Sequence, residues 1–277
     1  MKEWSYRKRC EGKVIGFTPT MGCLHEGHLS LVKASTANCN YTVVSIFVNP
    51  AQFGPNEDLE SYPRDIESDK EKLRVSGADI LFYPNHRDLY PEHFQTFVEV
   101  EEKTKYLCGK SRPEFFRGVT TIVLKFFNII NPHMAFFGEK DRQQLEVIRT
   151  MVRDLNLEVE VIGKPIVRER DGLAMSSRNQ YLSIEDRKSA LSVSQSLESA
   201  QTIIMQGERS VDAIRNKIRQ IIEQKSAAEI DYISICDPDS FAEQKEINSK
   251  TLIALAVKVG KARLIDNRII ERTSCNK

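Results

Sequence analysis

No two of the six cysteines, at positions 10, 23, 39, 108, 236 and 275, form a Cys-x-x-Cys pair. That argues against zinc frameworks and dithiol redox motifs. Scattered thiols in a chain of 277 residues suit a reduced, cytoplasmic setting. Cys10 and Cys275, near the ends, are expected to be the exposed thiols. The first residues, through Lys13, are polar and lack the apolar stretch of a secretory signal. The longest apolar region, Val119 to Ile130, is broken by Lys125 and Asn128, so no transmembrane helix is expected. An excess of one charge is also lacking, since 40 basic residues face 39 acidic ones. Proteins that track phosphate backbones carry a basic surplus, so nucleic acid is not expected as the main partner. A local basic pocket for a nucleotide remains open. Gly-x-Ser-x-Gly, Walker, Gly-x-Gly-x-x-Gly and zinc signatures are absent, and no carboxylate pair has a glycosidase arrangement.

The composition that remains, 40% hydrophobic and 29% charged, is that of a globular protein. The length suffices for one large domain or two ordinary ones. Through the first 165 residues strand and helix signals alternate. Strands are expected at Val14 to Thr18 (ending at Pro19), Tyr41 to Val48, Asp79 to Tyr83, Met134 to Phe137 and Leu157 to Ile162. Helices are expected at Leu29 to Ala37, Ile66 to Val75, 118–130 and Asp141 to Leu155. In the second of these, Asp69 and Lys72 look like a charge pair on the wet face. Such alternation indicates βαβ units around a parallel sheet. Beyond Pro165 come two helices, Ile184 to Gln206 and Ser210 to Lys225, and then three short strands, Asp231 to Cys236, Thr251 to Val257 and Ala262 to Ile265. The expectation is an α/β chain. A Rossmann-like N-domain spans 1–166 and a smaller α+β C-terminal domain spans 167–277.

Five segments carry chemistry. Pro19-Thr-Met-Gly-Cys-Leu-His-Glu-Gly-His28 runs from a strand through a glycine turn into a helix starting near Gly27. Ligands of open parallel sheets bind beyond the carboxyl ends of strands, and a helix N-terminus there favours phosphate. His25 and His28, two of only five histidines, can share one face of the first turn and donate to phosphate oxygens or protonate a leaving oxyanion. Two surface or capping histidines are the plainer reading. Gly138-Glu-Lys-Asp-Arg-Gln-Gln144 again follows a strand and opens a helix. Lys140 offers a mobile cation, Asp141 a cap, and Gln143 and Gln144 neutral amides for a hydroxyl or carboxylate. By itself it is equally a polar helix start.

Gly172-Leu-Ala-Met-Ser-Ser-Arg-Asn179 fits a phosphate-gripping loop or a serine-rich linker. In Phe47-Val-Asn-Pro-Ala-Gln-Phe-Gly54 the amides of Asn49 and Gln52 are expected to face one cleft, or the segment is a plain β-to-α loop. Arg112-Pro-Glu-Phe-Phe-Arg-Gly-Val119 brings two arginines that attract anions or lie in solvent. Glu99 to Lys105 is expected to be a solvated helix start.

Together these segments resemble the pantothenate synthetase (pantoate–β-alanine ligase) family, a relative of the nucleotidyltransferases and class I aminoacyl-tRNA synthetases with a His-x-Gly-His signature. The likeness runs from about Val14 to Leu182 and returns at Ala262-Arg-Leu-Ile-Asp-Asn267. It implies a Rossmann-like N-domain, a C-domain acting as a lid, and a homodimer. It implies ATP binding by Met21, Gly22, Cys23, Leu24, His25, Glu26, Gly27 and His28, by Gly138, Glu139, Lys140 and Asp141, and by Val167, Met175, Ser176, Ser177 and Arg178. His28 would be the proton donor, with His25 and Lys140 on the phosphates. Gln52 and Gln144 would bind pantoate, and Gln52 also β-alanine. The implied reaction passes through pantoyl adenylate, with ATP as co-substrate and Mg²⁺ assisting. Water must be kept from that intermediate, which gives a lid its purpose. No metal-ligating residue is assigned.

Two departures stand out. Phe115 occupies a position where the family usually has histidine. Only 18 residues precede Pro19, where the family usually has a strand and a helix. Alternative readings are a nucleotidyltransferase of the same superfamily and a nucleotide-binding module without turnover.

Overall fold

The computed structural model describes residues 1–55 and 57–272. The chain divides into two units. One comprises Met1–Lys105 and Arg112–Val167; the other comprises Tyr106–Ser111 and the described residues from Arg168 on.

The first unit opens with helix α1 (Lys2–Cys10), and strand β1 (Ile15–Thr20) follows. Then come α2 (Glu26–Asn38), β2 (Tyr41–Ile46), α3 (Ile66–Val75), β3 (Ile80–Phe82) and the short α4 (His86–Leu89). The strap α5 (Leu107–Ser111) belongs to the second unit. The first unit resumes with α6 (Phe115–Ile130), β4 (Met134–Gly138), α7 (Arg142–Asp154) and β5 (Glu160–Lys164). Its five strands are parallel, in the order β3-β2-β1-β4-β5. The chain leaves β1 toward β2 and leaves β4 toward β5, so the neighbours β1 and β4 form a topological switch point. Ligand crevices of open α/β sheets lie at such a point.

Alternate residues of β2 enter different cores, as a period of two requires. Val43 packs with Phe126 of α6 and Ile148 of α7. Val44 packs with Leu29 and Val32 of α2 and Leu73 of α3. Strand β1 continues through Pro19 to Thr20 rather than ending at Pro19. Its ladder to β4 covers only Gly16 and Phe17, so the missing proline N–H falls beyond that pairing. Helix α1 carries little sequence signal because its residues are mostly polar. Its anchors are buried Ser5 and Trp4, whose ring meets Tyr41 edge-on at 5.4 Å.

The second unit carries α8 (Ile184–Met205), α9 (Val211–Glu223) and an antiparallel sheet of β6 (Ala228–Cys236), β7 (Lys250–Val259) and β8 (Ala262–Glu271), in the order β6-β7-β8. Helix faces bearing Val193, Leu197, Ile214 and Ile218 pack on Ile253, Leu255 and Val257. Strand β8 runs well past its expected end at Ile265, because β7 pairs with it in register as far as Glu271. Buried Asp266 sits in this extension, where Arg168 grips it with two bonds of 2.7 and 2.9 Å. The α/β fold with a Rossmann-like sheet and a smaller C-terminal α+β unit is thus as expected.

Candidate active site

The loop after β1 is set by its backbone. Gly22 has φ +84° and Cys23 φ +49°, the left-handed region that glycine tolerates and other residues enter at a cost. A Cβ on Gly22 would also come within 3.1 Å of the Asp69 carboxylate. That carboxylate, on α3, holds the turn in place. One oxygen accepts the N–H of Cys23 and the other the N–H of Leu24, each at 2.7 Å. Lys72, one turn along α3, donates to the Leu24 carbonyl at 2.8 Å. The wet-face pair expected from the sequence is therefore corrected: Asp69 is 1% exposed and both side chains clasp the loop. A signal existed, since Asp69 lies on the stripe of Ile66 and Leu73 at helical spacing.

The loop delivers His25 as the N-cap of α2, with its Nδ1 accepting the Gly27 N–H at 3.1 Å. That bond leaves the proton of a neutral His25 ring on Nε2. The His28 ring stacks on His25 at 4.0 Å between centroids. His28 keeps part of its surface open, but its Nδ1 is enclosed without a hydrogen-bond partner among the described residues. Burial, then the positive charges of Lys140 and Lys72, lower its pKa from 6.5 to about 4. Near neutral pH the ring is uncharged in the ligand-free site. It acts there as a hydrogen-bond donor, kept neutral first by burial and second by the two lysine charges. Glu26 is exposed, 3.7 Å from Lys33, and the Leu24 side chain is buried in the core, which leaves only its backbone at the loop.

Beyond β4, Glu139–Asp141 form a 3-10 turn that carries Lys140. Strands β1 and β4 are neighbours, so this turn follows the strand beside the His25–His28 loop, and the Lys140 charge contributes to keeping His28 neutral. Asp141 stands at the N-cap of α7, but its side chain makes no capping bond there. Gln143 is buried and donates to the Lys103 carbonyl at 2.9 Å, which removes it from substrate contact; Gln144 is half-buried. Glu99 to Lys105 form extended chain and turns instead of a helix start.

Asn49 is likewise a correction, being 1% exposed rather than facing a cleft. Its Nδ2 donates to Gln52 Oε1 at 3.2 Å and to the Gly118 carbonyl at 3.1 Å, while its Oδ1 accepts the Tyr90 hydroxyl at 2.9 Å. Burial pushes the Tyr90 pKa up to about 12, so the hydroxyl remains a donor. Asn49 thus positions Gln52, whose Nε2 lies 2.9 Å from Met21 Sδ. Gly118 permits the close approach of α6, since a Cβ there would sit 2.1 Å from the Ala51 carbonyl oxygen. Arg112 is paired with Glu57 through two 2.5 Å bonds and donates to the Gln52 carbonyl at 3.0 Å. Phe115 supports this arginine, with the guanidinium 3.8 Å from its ring centre. Arg117 instead lies over Phe97. Sequence reasoning missed Tyr90 and Glu57, distant partners that no local pattern marks. A cleft of about 230 Å³ beside this region is lined by Met21, Gly22, Phe47, Asp65, Asp69 and His86 among others.

In the second unit, Glu169 to Gly172 make a tight turn closed by an Arg168–Ala174 bridge, with Gly172 at φ +93°. Residues 168–174 thus form a hairpin. Met175, Ser176, Ser177 and Arg178 follow, all half-buried, and Ser176 Oγ accepts the Arg178 N–H at 3.3 Å. Val167 closes the first unit.

Among the described residues, no group of three or more His, Cys, Asp or Glu is placed to hold a metal ion, and no helix is long and apolar enough to cross a membrane. Cys10 is exposed, Cys108 and Cys236 are buried, and none of the five described cysteines is in a disulfide; Cys275 lies outside the described residues.

Comparison with known proteins agrees with this architecture. The profile of the family described as Pantoate-beta-alanine ligase matches residues 1–269. A pantothenate synthetase of Caldicellulosiruptor bescii is 54% identical over 271 residues, covering 98% of this chain and 96% of that protein. One from Acetivibrio thermocellus is 55% identical over 260 residues, covering 94% and 92%. The crystal structure of pantothenate synthetase from Thermus thermophilus superposes with a TM-score of 0.92 at 41% identity, covering 97% of this chain and 98% of that one. A pantoate-beta-alanine ligase from Francisella tularensis, complexed with beta-gamma ATP and beta-alanine, gives a TM-score of 0.78 at 35% identity, covering 97% and 95%. The chain belongs to the pantoate–β-alanine ligase family.

Proposed function

We propose that this protein joins pantoate to β-alanine at the expense of ATP, through a pantoyl-adenylate intermediate. The observation that carries the reading is the stacked His25–His28 pair at the end of β1, with Lys140 on the turn that follows the neighbouring strand β4. The complex of the Francisella tularensis relative with beta-gamma ATP and beta-alanine supports the same substrates here.

In the first step a pantoate carboxylate oxygen attacks the α-phosphorus of ATP. The bond to the bridging oxygen breaks, and pyrophosphate leaves with the electron pair. Negative charge builds on the phosphate oxygens, which Lys140 and the imidazole N–H groups of His25 and His28 are suited to stabilise. A polyanion beside His28 favours its protonated form against the burial and the lysine charges that disfavour it, and a protonated His28 can give its proton to the departing oxygen. In the second step the neutral amine of β-alanine attacks the acyl carbon. The carbon–oxygen bond to AMP breaks, and the amine proton is released. Gln52, held by Asn49 and close to Met21, and Gln144 bind pantoate, with Gln52 also near β-alanine. Met21–His28, Gly138–Asp141, Val167 and Met175–Arg178 bind the nucleotide.

Mg²⁺, when bound with the nucleotide, would neutralise part of the phosphate charge. A cytoplasmic homodimer completes the reading. The test is an assay of purified protein with ATP, Mg²⁺, pantoate and β-alanine. AMP formation that requires both pantoate and β-alanine is expected. Pyrophosphate release with a phosphate-bearing acceptor, and none with pantoate, would instead indicate a nucleotidyltransferase.

A further inference from the structure

We propose that Lys72, on α3, is a second phosphate-binding cation of the nucleotide site, acting alongside Lys140. The proposal rests on the nucleotide-binding reading above and adds a residue that the loop motifs do not contain.

The geometry comes first. Asp69 and Lys72 are one helical turn apart and meet the same two-residue stretch of the loop. Asp69 spends its two oxygens on the N–H groups of Cys23 and Leu24. Lys72 reaches the Leu24 carbonyl at 2.8 Å. The ammonium is thereby anchored at the residue next to His25. An ammonium has three N–H donors, and the Leu24 bond uses one. Among the described residues, no second acceptor is bonded to it, which leaves donors for a ligand.

Electrostatics separates this from a plain structural tie. Any hydrogen-bond donor of suitable length would hold the Leu24 carbonyl. A lysine also places a positive charge close enough to disfavour protonation of His28, which Lys140 already disfavours. Asp69, the carboxylate that clasps the loop, has both oxygens turned to backbone donors. Two cations around one imidazole are mutually unfavourable in the empty site. They become favourable once a polyanion lies among them. Such an arrangement fits a triphosphate or pyrophosphate, and it gains nothing from the adenosine part of the nucleotide.

Calorimetry on Lys72→Met tests this with three probes: ATP, inorganic pyrophosphate and adenosine. Loss of one charge-assisted contact should weaken ATP and pyrophosphate by about 10- to 100-fold, with adenosine unchanged. Lys72→Arg, which keeps the charge, should retain most of the affinity. The His28 titration, followed by NMR, should move up from about 4 in Lys72→Met. In the wild-type protein, pyrophosphate should shield Lys72 from amine acylation, which needs no variant. Unchanged pyrophosphate affinity, or equal weakening of adenosine, would overturn the proposal. So would an absence of shielding. These readouts require no turnover. A protein that makes no AMP from pantoate and β-alanine, yet loses pyrophosphate affinity in Lys72→Met, would sink the ligase reading and leave Lys72 in place.

Discussion

Two loops of this chain use the same local devices toward different ends. The loop after β1 and the hairpin after Val167 each turn on a glycine at positive φ, Gly22 at +84° and Gly172 at +93°. Each then starts a helical turn with a side chain that accepts a backbone N–H, His25 in one and Ser176 in the other. Their electrostatics differ. Around the hairpin, Arg168 is closed by Asp266, and Arg187 is closed by Glu169 and Asp171 at 2.7 Å each. Around the first loop, Asp69 is turned to the backbone, and the charges of Lys72 and Lys140 fall on a neutral histidine. Paired charge fixes a conformation. Positive charge falling on a neutral ring is an arrangement that a bound anion would stabilise.

The comparison breaks most sharply at His28. Replacing it with Ala should lower pantoate-dependent adenylate formation by about 10²–10⁴-fold, measured as pyrophosphate release, with little loss of folding stability. An unchanged rate would reject its role. The opposite behaviour is expected at Arg168. Arg168→Met strands the Asp266 carboxylate, which is 2% exposed, and should destabilise the second unit by about 3–5 kcal/mol. Urea unfolding measures this, and the His28 titration should not move. A variant as stable as wild type would show that the pair is not needed.

A smaller effect appears with pH. The folded chain lowers His28 to about 4 from 6.5, so between those values the unfolded chain binds more protons. The contribution to stability is complete above about pH 6.5 and is lost as the pH falls toward 4. It amounts to at most about 3 kcal/mol. The difference between wild type and His28→Gln in urea midpoint should therefore change across that window. A constant difference would remove the electrostatic account of the first loop. The mildest change is expected from Gln144→Ala, which should raise the pantoate KM by about tenfold and leave the ATP KM alone. If both constants rise together, Gln144 is supporting the α7 start rather than binding pantoate.

Much of this was legible in the sequence where a local pattern governs. The bounds of α3 follow from its spacing of apolar residues, and the strand–turn–helix setting of His25 and His28 follows from Pro19 to Leu29. Local reading failed where a distant partner decides. Asp266 is accommodated as a buried carboxylate in β8 because Arg168, 98 positions away, pairs with it. Asn49 turns inward because Tyr90 and Gly118 satisfy its amide. From the sequence Asp69 reads as half of a solvated pair, since acid and base three apart on a helix usually are, and only the loop it clasps buries it. The assignment of Phe115 is sharpened too: where the family usually has histidine, this ring carries Arg112 instead.

The central claim is that the site beside His28 activates a carboxylate by transferring AMP to it. Pantoate labelled with oxygen-18 in its carboxylate tests this directly, with products examined by mass spectrometry after reaction with ATP and β-alanine. The account predicts one labelled oxygen in each AMP and none in pyrophosphate. Label in phosphate or pyrophosphate, or unlabelled AMP, would contradict it.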